Sequence, residues 1–253
     1  MLTGRASRSR GRSPPWRALG LGALACVAAA ALGLAAPALH LLDGQAVRLF
    51  DTGRQHPRVA AVYLSGDMGL RFGMGPNVAP ALAAHGMPVL GISSAVNFAT
   101  HRTRAELDAI LADAIRAAIA RTGASRIVLI GQSFGADMIA TAAPDLPGEL
   151  RERIAAISLV VPSQTAFFRA DPTGITYLGT PDARPALAVR GLDWAPVICI
   201  YGVRESDSLC PALGGTHARV IALPGGHFLN RDDKLLVTTL VDALHAADPR
   251  IVD

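Results

Sequence analysis

Arg126-Ile127-Val128-Leu129-Ile130-Gly131-Gln132-Ser133-Phe134-Gly135-Ala136-Asp137 reads as a buried strand, a tight turn and the start of a helix. Four apolar residues in a row, without alternation, suit a strand covered on both faces. The turn that follows fits the pattern G-x-S-x-G, in which a serine on a sharp strand-to-helix bend is lifted out as a nucleophile. Glycine is needed two positions to either side because backbone passes too close there for a side chain. Five such residues also arise by chance in a glycine-rich chain, so the context carries more weight than the string. Gly91-Ile92-Ser93-Ser94-Ala95 is a near match, but no helical run starts directly behind Ser93.

Working outward, further apolar runs at 59–64, 88–92, 154–161, 196–201 and 218–223 alternate with helical patterns. That alternation is the signature of βαβ units and predicts an α/β fold with a mostly parallel sheet flanked by helices. Between the second and third runs, Leu107, Ile110, Leu111, Ala114, Ile115, Ala118 and Ile119 recur at helical spacing, and Thr103 with Glu106 forms a capping-box pattern at the start. A last helix is expected over 232–245. The stretch 163–193, with Pro172, Gly174, Gly179, Pro181 and Pro185, reads as a loop or hairpin insertion.

Order along the chain is the strongest functional signal. Ser133 is followed by an acid, Asp207, after the run 196–201, and by a histidine, His227, after the run 218–223. Ser, acid, His in that order, each at a strand end, is the arrangement of α/β-hydrolases, and 163–193 falls where such a fold carries a small cap. A serine hydroxyl is inert at neutral pH until an imidazole takes its proton, and the acid fixes the imidazole tautomer. Glu205 is a rival acid at the same strand end, and Asp207 also suits a cap on the turn that begins at Ser208. An acyl-transfer site further needs donors for the developing oxyanion. These are expected from the backbone N–H of Phe134 and from Ser65-Gly66-Asp67-Met68-Gly69, with Asp67 first and Met68 second; the alternative is a plain glycine-rich turn. Asp67 and Asp137 are candidate substrate-binding carboxylates. Asp137 paired with Arg102, and Asp67 ordering its own loop, are the structural alternatives.

Charge and cysteines narrow the class. Arg5, Arg8, Arg10, Arg12 and Arg17 precede the first acid, Asp43, and the remainder of the chain is close to neutral although the whole carries +4. No basic stripe is left for nucleic acid. The apolar run from Ala18 to Leu39 behind those arginines, ending in Ala36-Pro37-Ala38, predicts an export signal over 1–38 cleaved after Ala38, or an uncleaved membrane anchor. A single domain over 39–253 would follow, outside the cytoplasm in either case. In an oxidising compartment Cys199 and Cys210 are expected to pair, joining a strand end to the acid loop; two buried free thiols are the alternative. Their spacing with His217 and His227 matches no common zinc pattern, so neither metal nor cofactor is expected.

With these residues in place, the chain resembles the bacterial virulence family of VirJ and the AcvB carboxyl-terminal domain. The resemblance rests on Tyr63-Leu64-Ser65-Gly66-Asp67, His101-Arg102-Thr103, Gly131-Gln132-Ser133-Phe134-Gly135-Ala136-Asp137, Cys199-Ile200-Tyr201-Gly202, Asp207-Ser208-Leu209-Cys210-Pro211 and Pro224-Gly225-Gly226-His227. It implies a periplasmic hydrolase-like protein with Ser133, Asp207 and His227 as nucleophile, acid and base. AcvB-type members imply a lysyl-phosphatidylglycerol substrate at the inner-membrane surface, and VirJ-type members a link to type IV secretion. The family's Gly-Asp-Gly-Gly-Trp loop reads here Gly66-Asp67-Met68-Gly69-Leu70, and its Pro-Gly-Gly-His-His reads Pro224-Gly225-Gly226-His227-Phe228. A general carboxylesterase and a non-catalytic secretion accessory protein are the other functions weighed.

Overall fold

The computed structural model describes residues 15–53 and 57–251. In chain order its regular elements are helix α1 (Pro15–Ala35), strands β1 (Val47–Phe50) and β2 (Val59–Leu64), α2 (Gly75–Ala84), β3 (Val89–Ile92), α3 (Ser94–Asn97), α4 (Arg104–Thr122), β4 (Arg126–Gln132), α5 (Phe134–Ala142), α6 (Gly148–Arg151), β5 (Ile154–Val160), α7 (Ala186–Arg190), β6 (Val197–Gly202), β7 (Arg219–Leu223) and α8 (Asp233–Ala247). The strands form one sheet in the order β1-β3-β2-β4-β5-β6-β7. All neighbours are parallel except β1, which runs antiparallel to β3 with Val47 opposite Ile92 and Phe50 opposite Val89.

Every residue of β2 and β5 is buried, as the unbroken apolar runs require of central strands. Two cores follow, one on each face of the sheet. On one side Leu107, Leu111 and Ile115 of α4 and Met138 of α5 pack on Val62, Leu64 and Leu129. On the other, Val78 and Leu82 of α2 and Leu236, Leu240 and Leu244 of α8 pack on Ala61, Tyr63 and Ile130. Helix α4 starts in a complete capping box: the Thr103 N–H donates to Glu106 Oε2 at 2.7 Å, and the Glu106 N–H donates to Thr103 Oγ1 at 3.3 Å. It stops at Gly123, whose φ of +71° a side chain would resist.

Strand β1 was not anticipated. Its four residues include Arg48 and sit on the sheet edge, so neither length nor apolarity marks them, and only pairing with β3 makes them a strand. Of the amino-terminal segment, the flank holding Arg5, Arg8, Arg10 and Arg12 lies outside the described residues. Among the described residues no helix is long and apolar enough to cross a membrane. The end of α1 is tied to the rest of the chain: Arg169 Nη2 donates to the Leu34 carbonyl at 3.0 Å, and Ala36 is buried.

Cys199 of β6 and Cys210 are joined in a disulfide with their Cα atoms 5.4 Å apart. Residues 163–193 form an irregular cap with one short α-helix, α7, a 3-10 turn at Thr176–Leu178, and two isolated bridges, Ser163 to Ser208 and Ala166 to Ala183.

Candidate active site

The elbow is built as its glycines demand. Ser133 has φ +52° and ψ −123°, a backbone conformation that costs an L-residue on the order of 1–3 kcal/mol. It is held from both sides: its N–H donates to the Val160 carbonyl at 2.8 Å, and its own carbonyl accepts from Ala136 N at 2.8 Å and Asp137 N at 3.1 Å. A Cβ at Gly131 would stand 2.5 Å from the Ala136 Cα, and one at Gly135 would run into the Leu64 carbonyl. These clashes explain why glycine occupies both positions. Beneath the bend, the wholly buried Tyr63 hydroxyl donates to Gln132 Oε1. Ser93, the near match, has an ordinary φ of −77° and is fully buried.

Ser133 Oγ lies 2.7 Å from His227 Nε2, so the hydroxyl has its base in hydrogen-bond reach. His227 Nδ1–H donates to Glu205 Oε1 at 2.6 Å. The acid on the imidazole is therefore Glu205, and the expectation of Asp207 is corrected. The reason lies in the turn after β6. The Glu205 N–H donates to the Gly202 carbonyl at 2.9 Å, and Glu205 Oε2 accepts from Gly202 N at 3.1 Å, which folds the side chain back beneath the histidine. Gly202 leaves room for the turn just before His227, since a Cβ there would strike the Gly226 carbonyl. The Glu205 side chain is 5% exposed and the His227 ring 38%. Asp207 is exposed on the pocket wall two residues further on, its carbonyl accepting from Gln164 N at 2.9 Å as the chain turns toward Cys210.

Burial disfavours the imidazolium of His227, but the hydrogen bond and charge of Glu205, with Asp207 and Asp67 behind it, outweigh burial and raise its pKa.

Ser133 and His227 open into a cavity of about 350 Å3 lined also by Asp67, Met68, Phe134, Asp137, Asp207, Tyr177 and Phe228. The cap supplies Ser163, Thr165, Phe167, Pro172 and Tyr177 to its walls. Asp137 is 8% exposed, and its Oδ1 accepts from the Ser163 N–H at 2.7 Å. Burial holds its carboxyl well above the usual carboxylate range, and the charges of Asp207, Asp67 and Glu205 push the same way. The alternative pairing with Arg102 is not what the structure has: Arg102 Nε donates to the Asn97 carbonyl at 2.8 Å, and Nη1 reaches Glu106. Asp67 is raised as well, by burial, against the opposing pull of Tyr177, His227 and the Met68 N–H. Tyr177 Oη donates to Asp67 Oδ2 at 3.3 Å and accepts from Asp171 N at 2.9 Å. No signal in the irregular stretch 163–193 marked Tyr177, which reaches the site only through the fold of the cap. Phe134, opening α5, has an amide among the first of a helix, where no intrahelical acceptor exists.

A mostly parallel sheet with a strained serine at the β4–α5 bend, and a histidine and carboxylate on the loops after β7 and β6, defines the α/β-hydrolase fold. The chain belongs to the family described as bacterial virulence protein (VirJ), whose sequence profile matches residues 58–248. Solved structures agree on the fold. A putative non-heme bromoperoxidase, BpoC from Mycobacterium tuberculosis H37Rv, superposes with a TM-score of 0.59 at 14% identity, over 81% of this chain and 97% of that one. The esterase domain of a Rhodothermus marinus protein gives 0.54 at 16%, over 79% and 91%. Est1E from Butyrivibrio proteoclasticus gives 0.52 at 14%, over 78% and 93%. No protein of curated function matches the chain in sequence.

Proposed function

We propose that the protein is an exported serine hydrolase that cleaves carboxylic esters, with an aminoacyl ester of phosphatidylglycerol, lysyl in the first place, as substrate. The observation that carries the reading is the chain of short contacts from Ser133 Oγ to His227 Nε2 and from Nδ1 to Glu205, set at a strained elbow in the wall of a cavity. His227 takes the Ser133 proton as Oγ attacks the ester carbonyl. The resulting oxyanion is met by the Phe134 N–H and by an amide of the loop after β2, that of Asp67 first and of Met68 second. His227 then returns the proton to the leaving alcohol, and water releases the aminoacyl group by the same steps in reverse order. Glu205 holds Nδ1 protonated and balances the imidazolium.

Two features support a cationic acyl group. The ionisable side chains on the cavity wall besides His227 are Asp67, Asp137 and Asp207, and among the described residues no lysine or arginine lines it. An ammonium group entering there gains the negative partners that desolvation otherwise keeps protonated. The disulfide supports a location in an oxidising compartment, and we take this to be the periplasm. Release of lysine from lysyl-phosphatidylglycerol vesicles by the purified protein, with Ser133→Ala as control, tests the reading. Labelling of Ser133 by a fluorophosphonate without lysine release would leave a general carboxylesterase, and no labelling would leave a secretion accessory protein with a hydrolase fold.

A further inference from the structure

Of the eight large apolar side chains left exposed after residue 41 among the described residues, five gather on one side of the molecule; Val47, Leu187 and Leu235 are the other three. Phe72, Ile175, Leu178, Val203 and Phe228 all sit in the loops that follow the carboxyl ends of parallel strands or in the cap above them. Leu178 is 86% exposed, Val203 58%, Phe228 55% and Phe72 44%. Phe72 and Phe228 line the mouth of the cavity, and Ile175 and Leu178 flank Tyr177 and Pro172, which also line it. At the opposite edge of the sheet, the loops at 85–88, 123–125, 191–196 and 214–218 hold no exposed large apolar side chain among the described residues. Isolated exposed hydrophobics are ordinary, whereas a set gathered round one opening is not.

Three further observations identify what this surface meets. Helix α1, uncharged in sequence from Ala18 to Ala35, joins the molecule at this same cap: a Cβ on Gly33 would touch Thr173 Cγ2 at 2.6 Å, and Arg169 holds the Leu34 carbonyl. Its exposed Leu24, Val27 and Leu32, followed by Leu39 and Leu41, extend the apolar surface, and its sequence flank is basic, as in segments directed to a bilayer. Exposed Arg71, Arg204 and Arg231 stand beside Phe72, Val203 and Phe228, so the rim carries apolar and cationic groups, with the exposed Asp232 next to Arg231, while Asp67 and Asp137 lie inside the cavity and Asp207 on its wall. A protein docked on this rim would close the opening, whereas a lipid layer would feed it.

We infer that the cap and strand-end loops form a docking surface for a phospholipid bilayer carrying anionic headgroups, which seats the cavity mouth at the lipid–water boundary. Aromatic and aliphatic side chains enter the headgroup region, and the arginines pair with phosphate. Docking is independent of which ester is cleaved, and it extends the proposed function by naming the phase from which substrate arrives.

The test uses the full chain and vesicles of phosphatidylglycerol with phosphatidylcholine, read by co-sedimentation, with hydrolysis of water-soluble p-nitrophenyl butyrate measured alongside. The triple variant Ile175→Ser, Leu178→Ser, Val203→Ser spares the cavity lining. It is expected to bind vesicles at least about tenfold more weakly while its rate on the soluble ester stays within about twofold of wild type. Leu235→Ser, on α8 and outside the cap, should leave vesicle binding unchanged. Unchanged binding by the triple variant, equal loss in the α8 control, or loss of self-association in place of vesicle binding would each overturn the inference, the last in favour of a second copy of the chain as occupant. Vesicle binding without any esterase rate would overturn the proposed activity and leave the docking surface standing.

Discussion

His227 Nδ1 lies 2.6 Å from Glu205 Oε1, while Asp207, two residues beyond Glu205 and nearer the usual expectation, stands exposed on the cavity wall. Glu205→Gln keeps the shape but loses the charge that holds the tautomer, so kcat is expected to fall about 10^3- to 10^4-fold. Asp207→Asn removes only a distant charge and should cost less than about tenfold. Steady-state kinetics of the two variants on one soluble ester decides between the acids, and a larger loss in Asp207→Asn would return the role to that residue.

Ser133→Ala removes the nucleophile and little packing, so hydrolysis should drop about 10^5- to 10^6-fold with the melting temperature preserved or raised as backbone contacts persist. Intact-mass measurement after a fluorophosphonate should show one adduct in wild type and none in the variant.

The acid limb of activity follows from His227. Its folded pKa is raised above the ordinary 6.5 by Glu205, and the charged ring cannot accept the Ser133 proton. Activity should therefore be low below that range and rise to a plateau as pH passes the raised value, with a midpoint above 6.5. Removing the charge in Glu205→Gln should move the residual activity's midpoint downward, which a pH–rate profile of both proteins will show.

Asp137 makes a separate statement about stability. Its folded pKa is raised, so its neutral form is the one the fold favours; that contribution is full below the unfolded carboxyl pKa and disappears as pH rises through the folded value. Asp137→Asn keeps the carbonyl that accepts from Ser163 N and never ionises. Thermal melts should show the variant gaining on wild type as pH increases from 4 toward 8, and on a lysyl ester its KM should rise far more than on p-nitrophenyl butyrate. A gap that narrows with pH would contradict the buried, protonated carboxyl.

Reduction of Cys199–Cys210 releases a loop closed by a separation of 11 residues, worth about 2–3 kcal/mol through the unfolded chain. Denaturant titration with and without reductant measures it. Because the bridge ties β6 to the segment just past Glu205, activity of the reduced protein should fall before it unfolds.

Much of this was legible in the residues. Unbroken apolar runs alternating with helical patterns fit strands buried on both faces, which places the sheet, and the glycines at 131 and 135 announce a bend where backbone meets backbone. Thr103 and Glu106 mark the start of α4 because a capping box is satisfied locally. Ser133 and His227 were readable for a related reason: each stands directly after a strand whose direction is already determined. What depends on how a loop folds back on the rest of the chain was not. The choice of Glu205 over Asp207 depends on how the chain folds back on Gly202, the pairing of β1 on an edge that β3 leaves open, and the arrival of Tyr177 on the path of a cap without periodicity. Local pattern determines elements because their hydrogen bonds and burial repeat over a few residues; loops are decided by contacts between parts of the chain far apart in sequence, and those exist only once the sheet has brought them together.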